Sequence, residues 1–157
     1  MDIRPAEPSE AEKIVRELWL PLAQEMETVS DYNRLEDDLD LQATIEHKKD
    51  KIGSEKAYMF VAEDGDELMG FISATLEESI PIFSRGDKLK INEMYVRPEH
   101  RRKGLASEMM DKIEKVAENT DVETLELSVD VENNSAQELY RAHGFETGRK
   151  RMVKWMD

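Results

Sequence analysis

Between residues 89 and 118 the apolar pattern of this chain changes from strand-like to helical within about ten residues. "LKINEMYV" (89–96) is a strand-type run. Pro98 breaks it, and Arg101, Arg102 and Lys103 follow side by side. After Gly104 the apolar residues Leu105, Met109, Ile113 and Val116 recur on one helical face. A strand that passes through a tight cationic turn straight into an amphipathic helix points to a layered α/β fold, with the helix lying on the sheet.

The rest of the chain extends that pattern. Residues 2–5 read as a first strand. Ser9 with Glu12 reads as a capping box for a helix carrying Ala11, Ile14, Val15, Leu18 and Leu22. Pro21 is expected to kink or end this helix. A more polar helix is expected over 32–49, anchored by Leu35, Leu39 and Ile45. The runs 57–63 and 67–76 flank Asp64-Gly65, a dipeptide favoured in tight turns, and so predict a hairpin. A loop covers 78–87. "VETLELSVDV" (122–131) predicts a strand, and "NSAQELYRAH" (134–143) a short helix closed by Gly144. Residues 145–147 and 151–156 are expected to form a last strand pair. Together these elements predict a single α/β (α+β) domain over 1–157, with a mixed sheet covered by helices.

Composition removes several function classes. Asp and Glu total 36 against 22 Lys and Arg, for a net charge of -14, which argues against nonspecific nucleic-acid binding. Such an excess can steer a cationic substrate, though a solubility surface is the simpler reading. Cysteine is absent, which excludes a thiolate nucleophile, disulfides and cysteine zinc sites, and fits a reducing cytoplasm. The acidic start "MDIRPAEPSEAEK" is unlike a secretory signal, and no apolar stretch is long enough to span a membrane. A cytoplasmic protein without a membrane partner is expected. His47, His100 and His143 lack metal-ligand spacing, so no metal is expected either.

The cationic turn itself suggests chemistry. A helix N-terminus carries N–H groups without helical partners and the positive end of the helix dipole, and a glycine lets a ligand approach the backbone. Arg101-Arg102-Lys103-Gly104-Leu105-Ala106 supplies such a phosphate site with flanking cations, although neither GxxxxGK[ST] nor GxGxxG is present. Downstream, Asn133, Ala136, Leu139, Tyr140, Gly144 and Phe145 stand as N-x-x-A-x-x-L-Y-x-x-x-G-F. With these two motifs in this order, the chain resembles the GNAT superfamily of acyl-CoA-dependent N-acetyltransferases, whose pyrophosphate loop reads [QR]-x-x-G-x-[GA]. The resemblance includes the "IRPAEPSEAEKI" start, the Asp-Gly hairpin and "MYVRPEHRRKGLA", and is weakest over 20–56.

The resemblance implies a mostly antiparallel sheet of about six or seven strands under about four helices, splayed between the fourth and fifth strands. The pantetheine arm of acetyl-CoA would pair with the backbone of Met94, Tyr95 and Val96. Arg101, Arg102, Lys103, Gly104, Leu105 and Ala106, with Ser107 behind them, would cradle the pyrophosphate. Asn133 and Tyr140 belong to the second cofactor-binding motif. Tyr140 falls at the family's general-acid position. A backbone N–H around Met94 to Val96 would stabilise the oxyanion. The base is open between Glu93 on the fourth strand, Glu126 beside the family's position at Ser128, and a water chain. The implied reaction is direct transfer of an acetyl group to a primary amine in a ternary complex. A cationic small molecule or a protein or peptide amine would accept it, and the protein could be a homodimer. The alternative is a non-catalytic domain that holds acyl-CoA.

Overall fold

The computed structural model describes residues 1–156. Strands β1 (Asp2–Pro5), β2 (Ala57–Asp64), β3 (Glu67–Glu77), β4 (Lys88–Val96) and β5 (Thr124–Leu127) form one sheet in that order. The first four are antiparallel neighbours, and β5 joins β4 in parallel. The expected hairpin is present: Asp64 pairs with Glu67, and Gly65 takes the left-handed conformation (φ 62°) that its tight turn demands.

Four helical bodies cover the sheet. The first joins α1 (Ala11–Ile14) to α2 (Leu20–Val29) through a π-turn at Val15–Trp19. Then come α3 (Leu41–Ile52), α4 (Leu105–Asn119) and α5 (Asn134–Ala142). One face of the sheet packs Ile72, Ala74, Leu89, Ile91 and Val96 against Leu105, Met109, Met110 and Ile113 of α4. The opposite face packs Met59, Val61, Phe71 and Tyr95 against Ile14 and Leu18. Each apolar stripe is thereby buried on one side only, as an amphipathic helix on a sheet requires. Among the described residues no helix is long and apolar enough to cross a membrane.

The structure corrects several expectations. The first helical turn opens earlier than Ser9: the Glu7 N–H donates to Glu10 Oε1 at 2.9 Å, and Pro8, preset for an N-terminal position, starts a 3-10 turn. Pro21 does not end the helix. The Leu20 N–H bonds the Val15 carbonyl, five residues back, and this widened turn absorbs the proline just after it. The helix expected over 32–49 begins only at Leu41, because Asp40 caps it by accepting from the Ala43 N–H at 3.0 Å. The acidic residues ahead of that cap stay outside regular structure apart from a short turn at Asp31–Asn33.

Among the described residues the sheet has five strands, not six or seven. The strand expected over 122–131 is paired only at Thr124–Leu127, and residues 145–147 and 151–156 form no strand. Phe145 is instead held beside α5, its N–H bonded to the Tyr140 carbonyl at 3.0 Å. Farther on, Arg151 and Trp155 pack on the Tyr32 ring. Local aromatic and cationic contacts with helical elements thus replace strand pairing in this segment.

Candidate functional site

β4 and β5 pair only from Lys88 with Thr124 to Ile91 with Leu127. From Glu93 to Val96 β4 keeps its β3 partners, but from Asn92 on it has none on the β5 side among the described residues. At the boundary Glu93 pairs with Ser73 and Ile91 with Ala74, so Asn92 is the extra residue of a β-bulge. The bulge resets the alternation of the strand. Leu89 and Ile91 before it, and Met94 and Val96 after it, all pack with the α4 face, whereas Tyr95 packs on the other. The edge beyond Ile91 also relies on Gly70: a Cβ there would lie 2.5 Å from the Tyr95 carbonyl oxygen.

Val96 leads into the cationic turn. Arg102 (φ 62°) and Gly104 (φ 83°) both adopt left-handed conformations, which costs a non-glycine residue such as Arg102 about 1 kcal/mol. The first helical bond of α4 runs from the Glu108 N–H to the Gly104 carbonyl at 3.0 Å, so the amides of Leu105, Ala106 and Ser107 lack helical acceptors. Nothing lies within 4 Å of the position a Gly104 Cβ would take. Arg102 and Lys103 are exposed. Arg101 is committed elsewhere. Its Nε donates to the Val96 carbonyl at 2.7 Å, and its two terminal nitrogens grip Glu25 of α2 at 2.9 and 2.6 Å. It also sits 5.5 Å from the Tyr95 ring centroid. Hydrogen bonding to Glu25 raises its pKa further, so it stays a cation.

Asn133 caps α5, accepting from the Ala136 N–H at 3.3 Å. The same helix carries Tyr140, which packs on the α4-side core with its ring edge-on to Phe145 at 6.0 Å. Burial pushes the Tyr140 phenol above its ordinary pKa. Gly144 closes the helix at φ 90°. His143, read from sequence only as a helix-end residue, bridges Ser107 Oγ at 3.0 Å and Glu114 at 3.3 Å and so ties α5 to α4.

Glu93 faces away from α4, with Tyr95. It forms an ion pair with Lys48, a buried lysine of α3, and accepts from Ser73 Oγ at 3.4 Å. This pair lines a cleft of about 540 Å³ between α3 and β2–β4 that also includes Trp19, Tyr58 and Met59. Sequence reasoning missed Lys48, whose only signal is a lysine beside the buried Ile45 stripe of α3. Glu126 is exposed on β5. Partial burial pulls its carboxyl upward, but hydrogen bonds from Thr124 and Lys88 more than offset this and hold it below the usual range. It is therefore a weaker base. The fold also gathers carboxylates around two histidines that lack metal spacing in sequence: Glu67 and Glu99 beside His100, and Asp111 and Glu114 beside His143.

Comparison with known proteins places this architecture. A tetramutant of the BH1408 protein from Bacillus halodurans superposes with a TM-score of 0.85 at 18% identity, covering 99% of this chain and 100% of that one. AAC(6')-Iy in complex with the bisubstrate analogue CoA-S-monomethyl-acetylneamine gives 0.77 at 16% identity, over 99% and 97% of the two chains. The ribosomal-protein-alanine N-acetyltransferase from Brucella melitensis biovar Abortus 2308 gives 0.71 at 17%, over 99% and 98%. The chain shares the fold of these three proteins. No curated protein matches the sequence. Residues 14–145 match the acetyltransferase (GNAT) family, and the chain belongs to it.

Proposed function

We propose that this chain, as one domain over 1–157, transfers the acetyl group of acetyl-CoA directly to a primary amine. The observation that carries this reading is the unpaired edge of β4 after Ile91, which leads through a 3-10 turn at Pro98–His100 into the left-handed cationic turn ahead of α4. An extended pantetheine arm can add to that edge as a strand would, through Met94, Tyr95 and Val96, in a splay between β4 and β5. The pyrophosphate then meets the free amides of Gly104 to Ser107, with Arg102 and Lys103 as exposed cations. Arg101, held by Glu25 and Val96, fixes the end of the strand rather than reaching for phosphate.

The reaction joins the amine nitrogen to the thioester carbon. A C–N bond forms, the carbonyl oxygen takes negative charge, and the C–S bond then breaks. An amine of lysine type has a pKa near ~10.4 and must lose its proton to act. Glu93, on the Tyr95 face, accepts that proton, directly or through water, once the incoming amine displaces Lys48 from it. Tyr140 approaches from the α4 face and protonates the departing thiolate; its raised pKa keeps it protonated until needed. A backbone N–H on the open edge of β4 stabilises the oxyanion. The chain has no cysteine, so no thiol-bound acyl enzyme intervenes.

The test is thiol release from acetyl-CoA by the purified protein over a panel of amino acids, polyamines, aminoglycosides and peptide amines, with mass spectrometry of the acceptor. Matching thiol and acetylated amine supports the enzyme. Tight CoA binding with no turnover on any acceptor would instead identify a non-catalytic acyl-CoA holder.

A further inference from the structure

We infer that the acceptor amine also carries a carboxylate, bound at the Lys51 end of the cleft while its amine meets Glu93. This rests on the acetyltransferase reading above and names the class of its acceptor. The two ends of the cleft differ in chemistry. At one, the cleft's lone carboxylate among its lining residues, Glu93, is paired with Lys48. At the other, Lys51 Nζ and Asn92 Nδ2 both donate to Thr75 Oγ1, at 3.3 and 2.6 Å. With two donors on its oxygen, the Thr75 hydroxyl is left to donate its own hydrogen elsewhere.

Three donor groups therefore converge where no anion answers them. Lys51 is half-buried and forms no salt bridge among the described residues, in a chain with 36 acidic side chains. A partly desolvated ammonium favours an anionic partner more strongly than an exposed one does. His47 lines the same cleft and adds no negative charge. One ammonium with two neutral donors matches a monoanionic, two-oxygen group better than a phosphate dianion. The cleft volume suits a small molecule, and Trp19 and Met59 offer apolar surface for its body. Lys48 and Lys51 would repel a polycation. The net charge of the whole chain thus misleads about this cleft.

The experiment compares α- and ω-amino acids with their amides, and β-alanine with O-phosphoethanolamine, in the thiol-release assay on wild type and Lys51→Gln. Wild type should show a KM about tenfold lower for acids than for amides, the usual effect of one charged hydrogen bond. Lys51→Gln should erase that preference by raising KM for the acids more than for the amides, with CoA affinity by calorimetry as the folding control. Equal use of acids and amides, a preference for the phosphate, or an unchanged preference in Lys51→Gln would overturn the inference. If no amine turns over, the acetyltransferase reading fails separately. The same compounds titrated onto CoA-loaded protein then decide: Lys51-dependent heat from the acids upholds the subsite, and its absence refutes it.

Discussion

Lys88–Ile91 and Asn92–Val96 belong to one strand, yet only the first four residues have strand partners on both sides. The lower half is structural: Leu89 and Ile91 are buried against α4, and their backbone is consumed by β3 and β5. The upper half begins at the Asn92 bulge, keeps its β3 pairing and leaves its other edge open. The bulge does two things at once. It returns Met94 and Val96 to the α4 face, so the core continues, and it turns Glu93 toward the cleft under α3. A one-residue insertion thereby resets the strand's faces at the point where β5 pairing stops. Changes to side chains facing the open edge and the turn should damage chemistry and CoA binding far more than stability.

The largest effect is expected at Tyr140. Tyr140→Phe keeps the ring against Phe145 and the α4-side core but removes the hydroxyl proposed to protonate the thiolate. The value of kcat should fall roughly 10²- to 10⁴-fold, the usual contribution of a positioned acid, while CoA affinity and Tm hold. Near-wild-type turnover would reduce Tyr140 to a packing residue.

Gly104→Glu comes next. It forces a side chain into φ 83° and places a negative charge where the α4 amides should meet pyrophosphate. Calorimetry should show CoA affinity weakened by roughly 100-fold, about 2.7 kcal/mol. Nothing lies within 4 Å of the new Cβ, so only the left-handed strain of about 1 kcal/mol should show, as a fall of roughly 2–4 °C in Tm. Unaltered affinity would remove the turn from the binding site.

Gly70→Ala sharpens the boundary from the β3 side. Its Cβ would lie 2.5 Å from the Tyr95 carbonyl, so strand must move against strand. A loss of about 2 kcal/mol is expected from such overpacking, or roughly 4–8 °C in Tm for a chain of this size. KM for acetyl-CoA should rise as the open edge is displaced. A variant as stable as wild type would show that the edge is looser than its geometry implies.

The two sides of the site were unequally legible in the sequence. The cationic turn and the Asn133–Phe145 element are local: glycine, caps and helical spacing lie within a few residues of one another, so the pattern carries the geometry. The cleft is not local. Lys48 meets Glu93 across 45 residues of chain, and Lys51 meets Thr75 across 24, and neither lysine interrupts or marks a periodic pattern. The Asn92 bulge was hidden because residues 89–96 read as unbroken strand. Over 145–156 the residues suit a strand, but β5 ends at Leu127 and Tyr32 draws Arg151 and Trp155 away. Tertiary contacts overrode propensity there. The π-turn at Val15–Trp19 shows the converse, since a local rule about Pro21 was met by a local adjustment that keeps the helix intact.

Amide hydrogen exchange with and without CoA tests the central claim most directly, because it reads backbone sites rather than activity. Slowed exchange should be confined to residues within 92–96 and to 104–107, while the amides of Lys88–Ile91, already paired on both sides, should not change. Protection centred on the Lys51 cleft, or none in either upper-strand or turn segment at saturating CoA, would contradict the assignment of the open β4 edge as the acyl-CoA site.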